Sequence, residues 1–253
     1  MNSFLALYIK EIKANKNLFL FLIALIVGLN TYGLISLGGI SEGQASAGDL
    51  PAGVILPTLA TFLFVISLPF LLAHSFNAEW KSETHYQMFA LPVPQYVINL
   101  AKVAAVATMG VLGGAIVIGC MYQFTALIGT ALGQGIPLTF GDFSFLAGLG
   151  LLAYMVFVLG LVVGMEGVKY SVKRHRGLTA VGFVVVSLYL FGRLAGLGKD
   201  IFGFMGNISF DFMSGGATMT YSGVQFAPFA YTILFGLLLM AVGLVVYEKR
   251  AEI

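Results

Sequence analysis

Side chains capable of polar chemistry are concentrated in one segment of this chain, residues 79–102, with the sequence EWKSETHYQMFALPVPQYVINLAK. The segment opens with charged and hydroxyl groups and later contains two prolines, namely Glu79, Lys81, Glu83 and Thr84 and then Pro92 and Pro94. Residues 84–91 are compatible with a helix, which the prolines would end because proline lacks the amide that continues a helix. A segment that merely connects two spans would need polar residues but not a short helix closed by two prolines. The pattern therefore predicts a short helix to which a soluble partner protein binds.

The rest of the sequence contains no arrangement that points to catalysis. His74, His85 and His175 are scattered and lack the spacing of metal ligands. The nearest approach to a phosphate-binding loop, GLGKD at residues 196–200, lacks both the spacing and the hydroxyl residue that such a loop requires. We therefore expect this chain not to be an enzyme and to bind no cofactor or metal itself.

The composition of the chain indicates which secondary-structure elements hold these polar side chains in place. Hydrophobic residues make up 59% of the 253 residues and charged residues only 9%, against about 25% charged in soluble domains. Six apolar runs are long enough to cross a bilayer, at residues 18–40, 54–76, 103–128, 143–165, 178–197 and 226–247. None of the six runs shows the alternation of apolar and polar residues that is typical of a β-barrel strand. Because backbone groups must be hydrogen-bonded within the bilayer, all six are predicted to be helices. The predicted fold class is an all-α integral membrane protein with six transmembrane helices.

Lysine and arginine predict which side of the membrane each loop faces. If the N-terminus is cytoplasmic, eleven of the 13 cations lie inside and only Arg193 and Lys199 lie outside, as the positive-inside rule requires. Both termini are therefore predicted to be cytoplasmic. A signal peptide cleaved near residues 45–47 is the alternative, but the first apolar run is longer than the core of a signal peptide.

Residues 1–17 have an amphipathic pattern. Apolar side chains recur at helical spacing and charges occupy the other side, the two sets being Phe4, Leu5, Tyr8, Ile9 and Ile12, and Lys10, Glu11, Lys13 and Lys16. This pattern predicts a helix lying in the cytoplasmic interface of the membrane. A positively charged flank, the alternative, would need the lysines but not the apolar stripe.

Two further patterns concern packing and the outer connections. Glycine pairs at four-residue spacing predict close helix contacts, within the chain or at a dimer seam, and they are Gly110 with Gly114, Gly160 with Gly164, and Gly192 with Gly196. Residues 198–225 are rich in glycine and phenylalanine. They are expected to form either short re-entrant helices or an exposed loop.

With these features in place, the chain resembles the membrane subunit of type-2 ATP-binding-cassette transporters. Members of that class commonly have, between their second and third spans, an acidic residue, a threonine, a leucine-proline turn and then a lysine. The matching positions are Glu79, Thr84, Leu91, Pro92, Val93, Pro94 and Lys102. Glu83 stands where a glycine is common, and Gln95 where an arginine is common.

The resemblance implies a permease of an ABC exporter, driven by a separate cytoplasmic ATPase subunit that holds ATP and Mg. It assigns the coupling contact with that ATPase to Glu79, Lys81, Glu83, Thr84, Leu91, Pro92 and Pro94. It also implies a second permease copy or homologue as dimer partner, a multi-pass location in a plasma membrane, typically prokaryotic, and no nucleic-acid partner. An amphipathic or hydrophobic substrate suits these charge-poor spans better than a small ion does, although apolar residues that face lipid give the same composition. The basic loop 169–176 would make a second contact with the ATPase or a contact with anionic lipid headgroups. Alternatively, its charges would serve only to set the orientation of the chain in the membrane.

Two other functions remain open at the level of sequence. An ion-coupled secondary carrier would use ionisable groups inside the membrane, where the six runs offer only His74 and Arg193, both near an end. A non-transporting assembly or immunity factor would bind a partner without substrate-dependent nucleotide turnover. An ATPase gene beside this one would favour the transporter.

Overall fold

The computed structural model describes residues 3–41, 49–81, 93–131, 139–172, 174–214 and 217–250. Its elements, in chain order, are α1 (Ser3–Ser41), α2 (Asp49–Lys81), α3 (Gln95–Ala131), α4 (Phe140–Tyr170), α5 (Arg176–Phe202), a 3₁₀ turn (Gly203–Met205), β1 (Asn207–Ser214), β2 (Ala217–Gln225) and α6 (Ala227–Arg250). The prediction of an all-α fold with six helices able to span a membrane is confirmed.

The helices extend beyond the predicted spans, most clearly around residues 77–102. Residues 77–81 belong to the last turns of α2, and residues 95–102 belong to the first turns of α3. The connecting segment between these helices is therefore shorter than the sequence predicted. Its central residues, 82–92, lie outside the described part of the chain.

α1 differs from the expected pair of an interfacial helix and a separate first span. A single helix runs without interruption from Ser3 to Ser41, so residues 3–17 belong to the same helix as the first span. The physical reason is that residues 3–27 contain neither glycine nor proline, and nothing in that stretch interrupts the backbone hydrogen bonds.

Glycines bring α4 and α6 into backbone contact. A Cβ added at Gly160 would collide with the carbonyl of Gly236, and one at Gly167 would collide with the carbonyl of Gly243. Such small residues let helix backbones approach closely in lipid. The predicted pair of Gly160 and Gly164 therefore lies in a seam within the chain.

The other two glycine pairs have different surroundings. Gly110 and Gly114 of α3 face side chains of neighbouring helices, since a Cβ at Gly110 would lie 2.6 Å from the sulfur of Met155 and one at Gly114 would collide with Leu151. Gly192 and Gly196 of α5 have open space around them. The expectation of a close contact at this third pair is wrong within the chain.

The connection between α5 and α6 is a β-hairpin rather than re-entrant helices. β1 and β2 pair antiparallel from Asn207 opposite Gln225 to Ser214 opposite Ala217, with a register shift between Ile208 and Ser209. The amide of Phe226 donates to the carbonyl of Gly206 (3.3 Å) and closes the base of the hairpin. Alternation of Ile208, Phe210 and Phe212 with polar residues was the strand signal in the sequence.

Candidate functional site

Several helices meet at one end of the bundle, where most described cations lie. This charged end contains the beginnings of α1, α3 and α5 and the ends of α2, α4 and α6. Contacts between Lys10 and Glu79 and among Phe76, Tyr170 and Tyr247 join these ends. The first and last described helices therefore have their chain ends on the same side, as the topology prediction requires.

At the charged end, four side chains from three helices form what we call the Lys102 cluster. Its members are Glu11 of α1, Ser75 and Glu79 of α2, and Lys102 of α3. Ser75 and Glu79 are four residues apart, so they lie on the same face of α2. Lys102 lies in the second turn of α3 and reaches both carboxylates.

The distances in the cluster are those of hydrogen-bonded ion pairs. The Lys102 Nζ lies 3.1 Å from Oε1 of Glu11 and 2.5 Å from Oε1 of Glu79. The Ser75 hydroxyl donates to the other oxygen of Glu11, at 2.8 Å. Lys10, at the edge of the cluster, lies 3.5 Å from Glu79 and 3.7 Å from Glu11. Two cations therefore balance two carboxylates.

The central groups of the Lys102 cluster are buried, so their pairing matters for stability. Lys102 is 1% exposed and Glu11 is 4% exposed, whereas the side chain of Lys10 is 54% exposed. The Lys102 Nζ also lies 5.8 Å from the centre of the Phe76 ring, a favourable position for a cation. A buried lysine without counter-charges would be costly, so the contacts with Glu11 and Glu79 stabilise Lys102 in this position.

The cluster joins both ends of the connecting segment to a third helix. Residues 82–92 begin after the last turn of α2, which holds Glu79, and are followed by α3, which holds Lys102. The salt bridge between these two residues fixes the separation of the two attachment points. The pair formed by Glu11 extends the same constraint to α1.

Three of the seven predicted coupling residues lie in the described part of the chain, each in a different place. Glu79 lies in the Lys102 cluster, and Lys81 is exposed at the last position of α2. Pro94 immediately precedes α3, and its carbonyl accepts a hydrogen bond from the amide of Val97 at 3.0 Å. The remaining four lie outside the described residues, and they are Glu83, Thr84, Leu91 and Pro92.

The residues predicted to form the interfacial helix are divided between surface and site. Phe4 and Tyr8 stack on each other with their ring centres 6.5 Å apart, and the Tyr8 hydroxyl lies 2.9 Å from that of Thr108 in α3. Lys13 is exposed. Lys10 and Glu11 belong to the ion-pair network, a role that the amphipathic pattern did not indicate.

A second polar network lies on the opposite side of α2, and sequence reasoning did not find it. Glu166 of α4 is 1% exposed and pairs with Lys169 at 2.9 Å. Lys169 also donates to Oδ1 of Asn77 (2.7 Å), and the Tyr170 hydroxyl donates to the same oxygen (3.0 Å). Glu166 directly follows the predicted fourth span, which ended at residue 165, and a glutamate three residues before a lysine was the available signal.

Alternate faces of α2 therefore contact the two networks. Ser75 and Glu79 face the Lys102 cluster, and Asn77 faces Glu166 and Lys169. Between them, Phe76 packs against Tyr247 of α6 with ring centres 6.2 Å apart. The last turns of α2 are thus connected by polar or aromatic contacts to all of α1, α3, α4 and α6.

The polar groups at this end are arranged for structural pairing, and their carboxylates are occupied by lysines. Among the described residues, no group of three or more histidine, cysteine, aspartate or glutamate side chains could hold a metal ion. His74 is exposed near the end of α2, and Arg193 is exposed on α5.

The fold and this site define a multi-pass, all-α membrane protein. No protein-family model, curated protein or solved structure matches the chain.

Proposed function

We propose that this chain is the permease subunit of a type-2 ABC exporter, which acts as a dimer with separate cytoplasmic ATPase subunits. The observation that carries the proposal is the Lys102 cluster. It joins α1, α2 and α3 at the base of the segment to which the family resemblance assigns the ATPase contact. In this proposal ATP and Mg are bound by the partner, and this chain contributes the membrane path.

The cluster suits the task of transmitting a displacement. A push on residues 82–92 acts first on Glu79 and on the beginning of α3. Because Lys102 pairs with Glu79 and Glu11, α1, α2 and α3 respond together rather than separately. Coordinated movement of packed helices between two arrangements is how a transporter alternates its openings.

In this proposal the protein lies in the plasma membrane of a prokaryotic cell, and its charged end faces the cytoplasm. The basic residues at this end support that orientation through the positive-inside rule. Exposed Lys81, Arg174 and Arg176 lie there, where they are accessible to an ATPase surface.

Co-purification tests the proposal. The chain is expressed with the ATPase encoded beside its gene, and complex formation and ATP turnover are measured for Glu83→Lys. Loss of both is expected, because the charge is reversed inside the proposed contact. Glu248→Lys is the matched control, since Glu248 is exposed at the same end but outside that segment. Unchanged binding and turnover in Glu83→Lys and Lys81→Glu alike would refute the coupling role.

An ion-coupled carrier is the second candidate function, and the buried carboxylate of Glu166 favours it. Ionisable groups buried in a transmembrane bundle often serve ion pathways. Here Glu166 is paired with Lys169, an arrangement that also serves structure alone. Transport that continues without any ATPase and stops when the ion gradient is dissipated would favour this candidate.

A further inference from the structure

A cavity of about 290 Å³ lies between α2, α3 and α4, within the membrane-spanning segments. Its walls are almost entirely apolar and include Phe64 of α2, Val117 and Met121 of α3, and Phe143, Ala147 and Tyr154 of α4. The α4 residues recur at helical spacing and form one stripe on that helix. Ala147 and Met121 are half-buried, so the cavity communicates with the outer surface of the bundle.

The cavity lies next to a close helix contact made by the glycines of α3. A Cβ at Gly113 would lie 2.7 Å from the Phe64 ring, and one at Gly114 would collide with Leu151. The three helices therefore approach closely at these positions. One turn further along α3, beyond Val117, small residues on α4 leave space between the helices. Ala147 and Gly150 are the small residues that line it.

Both hydroxyl hydrogens in the wall are used in hydrogen bonds to backbone carbonyls, which leaves a water only acceptor positions there. The Tyr154 hydroxyl donates to the carbonyl of Val65 at 2.6 Å, and the Thr61 hydroxyl donates to the carbonyl of Pro57 at 3.0 Å. A buried water needs two to four polar partners, and cavities that lack them stay dry and take up apolar molecules. Hydrocarbon is therefore the chemistry that fits this space.

We propose that this cavity binds the alkyl chain of a single-chain amphiphile. Its volume of about 290 Å³ lies just below the usual range for ligand pockets, so it has room for one alkyl chain rather than two. Under the proposed function, on which this inference rests, the amphiphile represents the class of transported substrate. The aromatic wall and the small residues of α4 determine which chain fits.

Photolabelling tests the inference on the full chain in lipid nanodiscs. The probe is a zwitterionic single-chain amphiphile with a hexadecyl tail that ends in a diazirine. Labelled peptides are expected to map to Val117, Met121 and Phe143, and excess unlabelled amphiphile should compete. Ala147→Phe fills the cavity, and because each buried methylene contributes to binding, labelling should fall about tenfold.

Gly148→Phe is the matched control, because Gly148 is one residue away on α4 and has open space around it. It should label like the unaltered chain. If Ala147→Phe does not fold, the peptide map of the unaltered chain decides alone. Labelling spread evenly over lipid-facing residues would overturn the inference. Equal labelling of the cavity by a phospholipid with the diazirine in one tail would also overturn it, since the site would then hold bilayer lipid.

The labelling experiment tests the alkyl-chain site separately from the proposed exporter function. Labelling needs neither the ATPase nor nucleotide. A labelled cavity in a chain that binds no ATPase would refute the exporter while supporting the alkyl site. An unlabelled cavity in a chain that stimulates its ATPase would do the reverse.

Discussion

Lys102 and Glu11 lie 91 residues apart in the chain and form a salt bridge of 3.1 Å in the buried part of the charged end. Glu11 was expected on the polar side of an interfacial helix, and Lys102 at the start of a span. Their pairing instead locks the beginning of α1 to α3. Because both are buried, removing either partner leaves the other as an uncompensated buried charge, which is strongly destabilising.

Replacing Lys102 with methionine should strongly destabilise the protein. The change leaves Glu11 buried without its main cation, and breaking one partner of a buried pair costs about 3–5 kcal/mol. Circular dichroism in detergent micelles should show a large drop in the thermal midpoint. Adding Glu11→Gln to Lys102→Met should recover part of it, because Glu79 still has Lys10 at 3.5 Å.

Lys16→Met is the control for this charge deletion, since Lys16 lies exposed on α1. Its midpoint should stay close to that of the unaltered chain. Equal midpoints for Lys102→Met and Lys16→Met would mean that the cluster contributes nothing to stability.

The glycine seam between α4 and α6 should not tolerate larger residues. Gly236→Val places side-chain atoms where the backbone of Phe157 lies, because even a Cβ there would be 2.6 Å from the Phe157 Cα. Overpacking of this kind, which forces the backbone to move, costs about 1–3 kcal/mol and occasionally more. The yield of folded protein and its unfolding midpoint measure the effect. Gly192→Val, in open space on α5, should behave like the unaltered protein, and similar losses in both variants would contradict the seam.

Asn30 should be replaceable with a gain in stability. It is 1% exposed, its amide nitrogen donates to the carbonyl of Ile26 at 2.8 Å, and its Oδ1 has no partner among the described residues. Asn30→Leu removes this unsatisfied acceptor and should stabilise the protein by about 1 kcal/mol, read as a higher thermal midpoint. Asn17→Leu on the exposed side of the same helix should have little effect. A lower midpoint in Asn30→Leu would indicate that Oδ1 has a partner such as water.

Single-cysteine labelling should locate the charged end. Cys120 is the one cysteine of the chain, so Cys120→Ala provides a background without thiols. A cysteine introduced by Lys81→Cys should react with a membrane-impermeant maleimide in inverted vesicles and not in intact cells. Lys199→Cys, near the far end of α5, should show the opposite pattern. The reverse assignment of the two sites would overturn the cytoplasmic placement of both termini.

The sequence by itself determined that this is a membrane protein with six helices and that most of its cations share one end. These properties follow from composition and from the length of apolar runs, which act locally along the chain. The polar interruption after Glu79 was also visible, because proline and charge break an apolar pattern wherever they occur.

Only the tertiary structure decided which side chains meet. Glu11, Glu79 and Lys102 come from three helices, and Asn77 of α2 accepts a hydrogen bond from Lys169 of α4. The glycines at 160 and 192 look alike in sequence, yet the first contacts a backbone and the second faces open space. The sequence likewise did not show which residues pair with Asn207 to Ser214 in the hairpin. In an apolar chain, the hydrophobic pattern lacks a polar face that would fix helix rotation, so the rotation depends on close packing and on the few buried charges that must find each other.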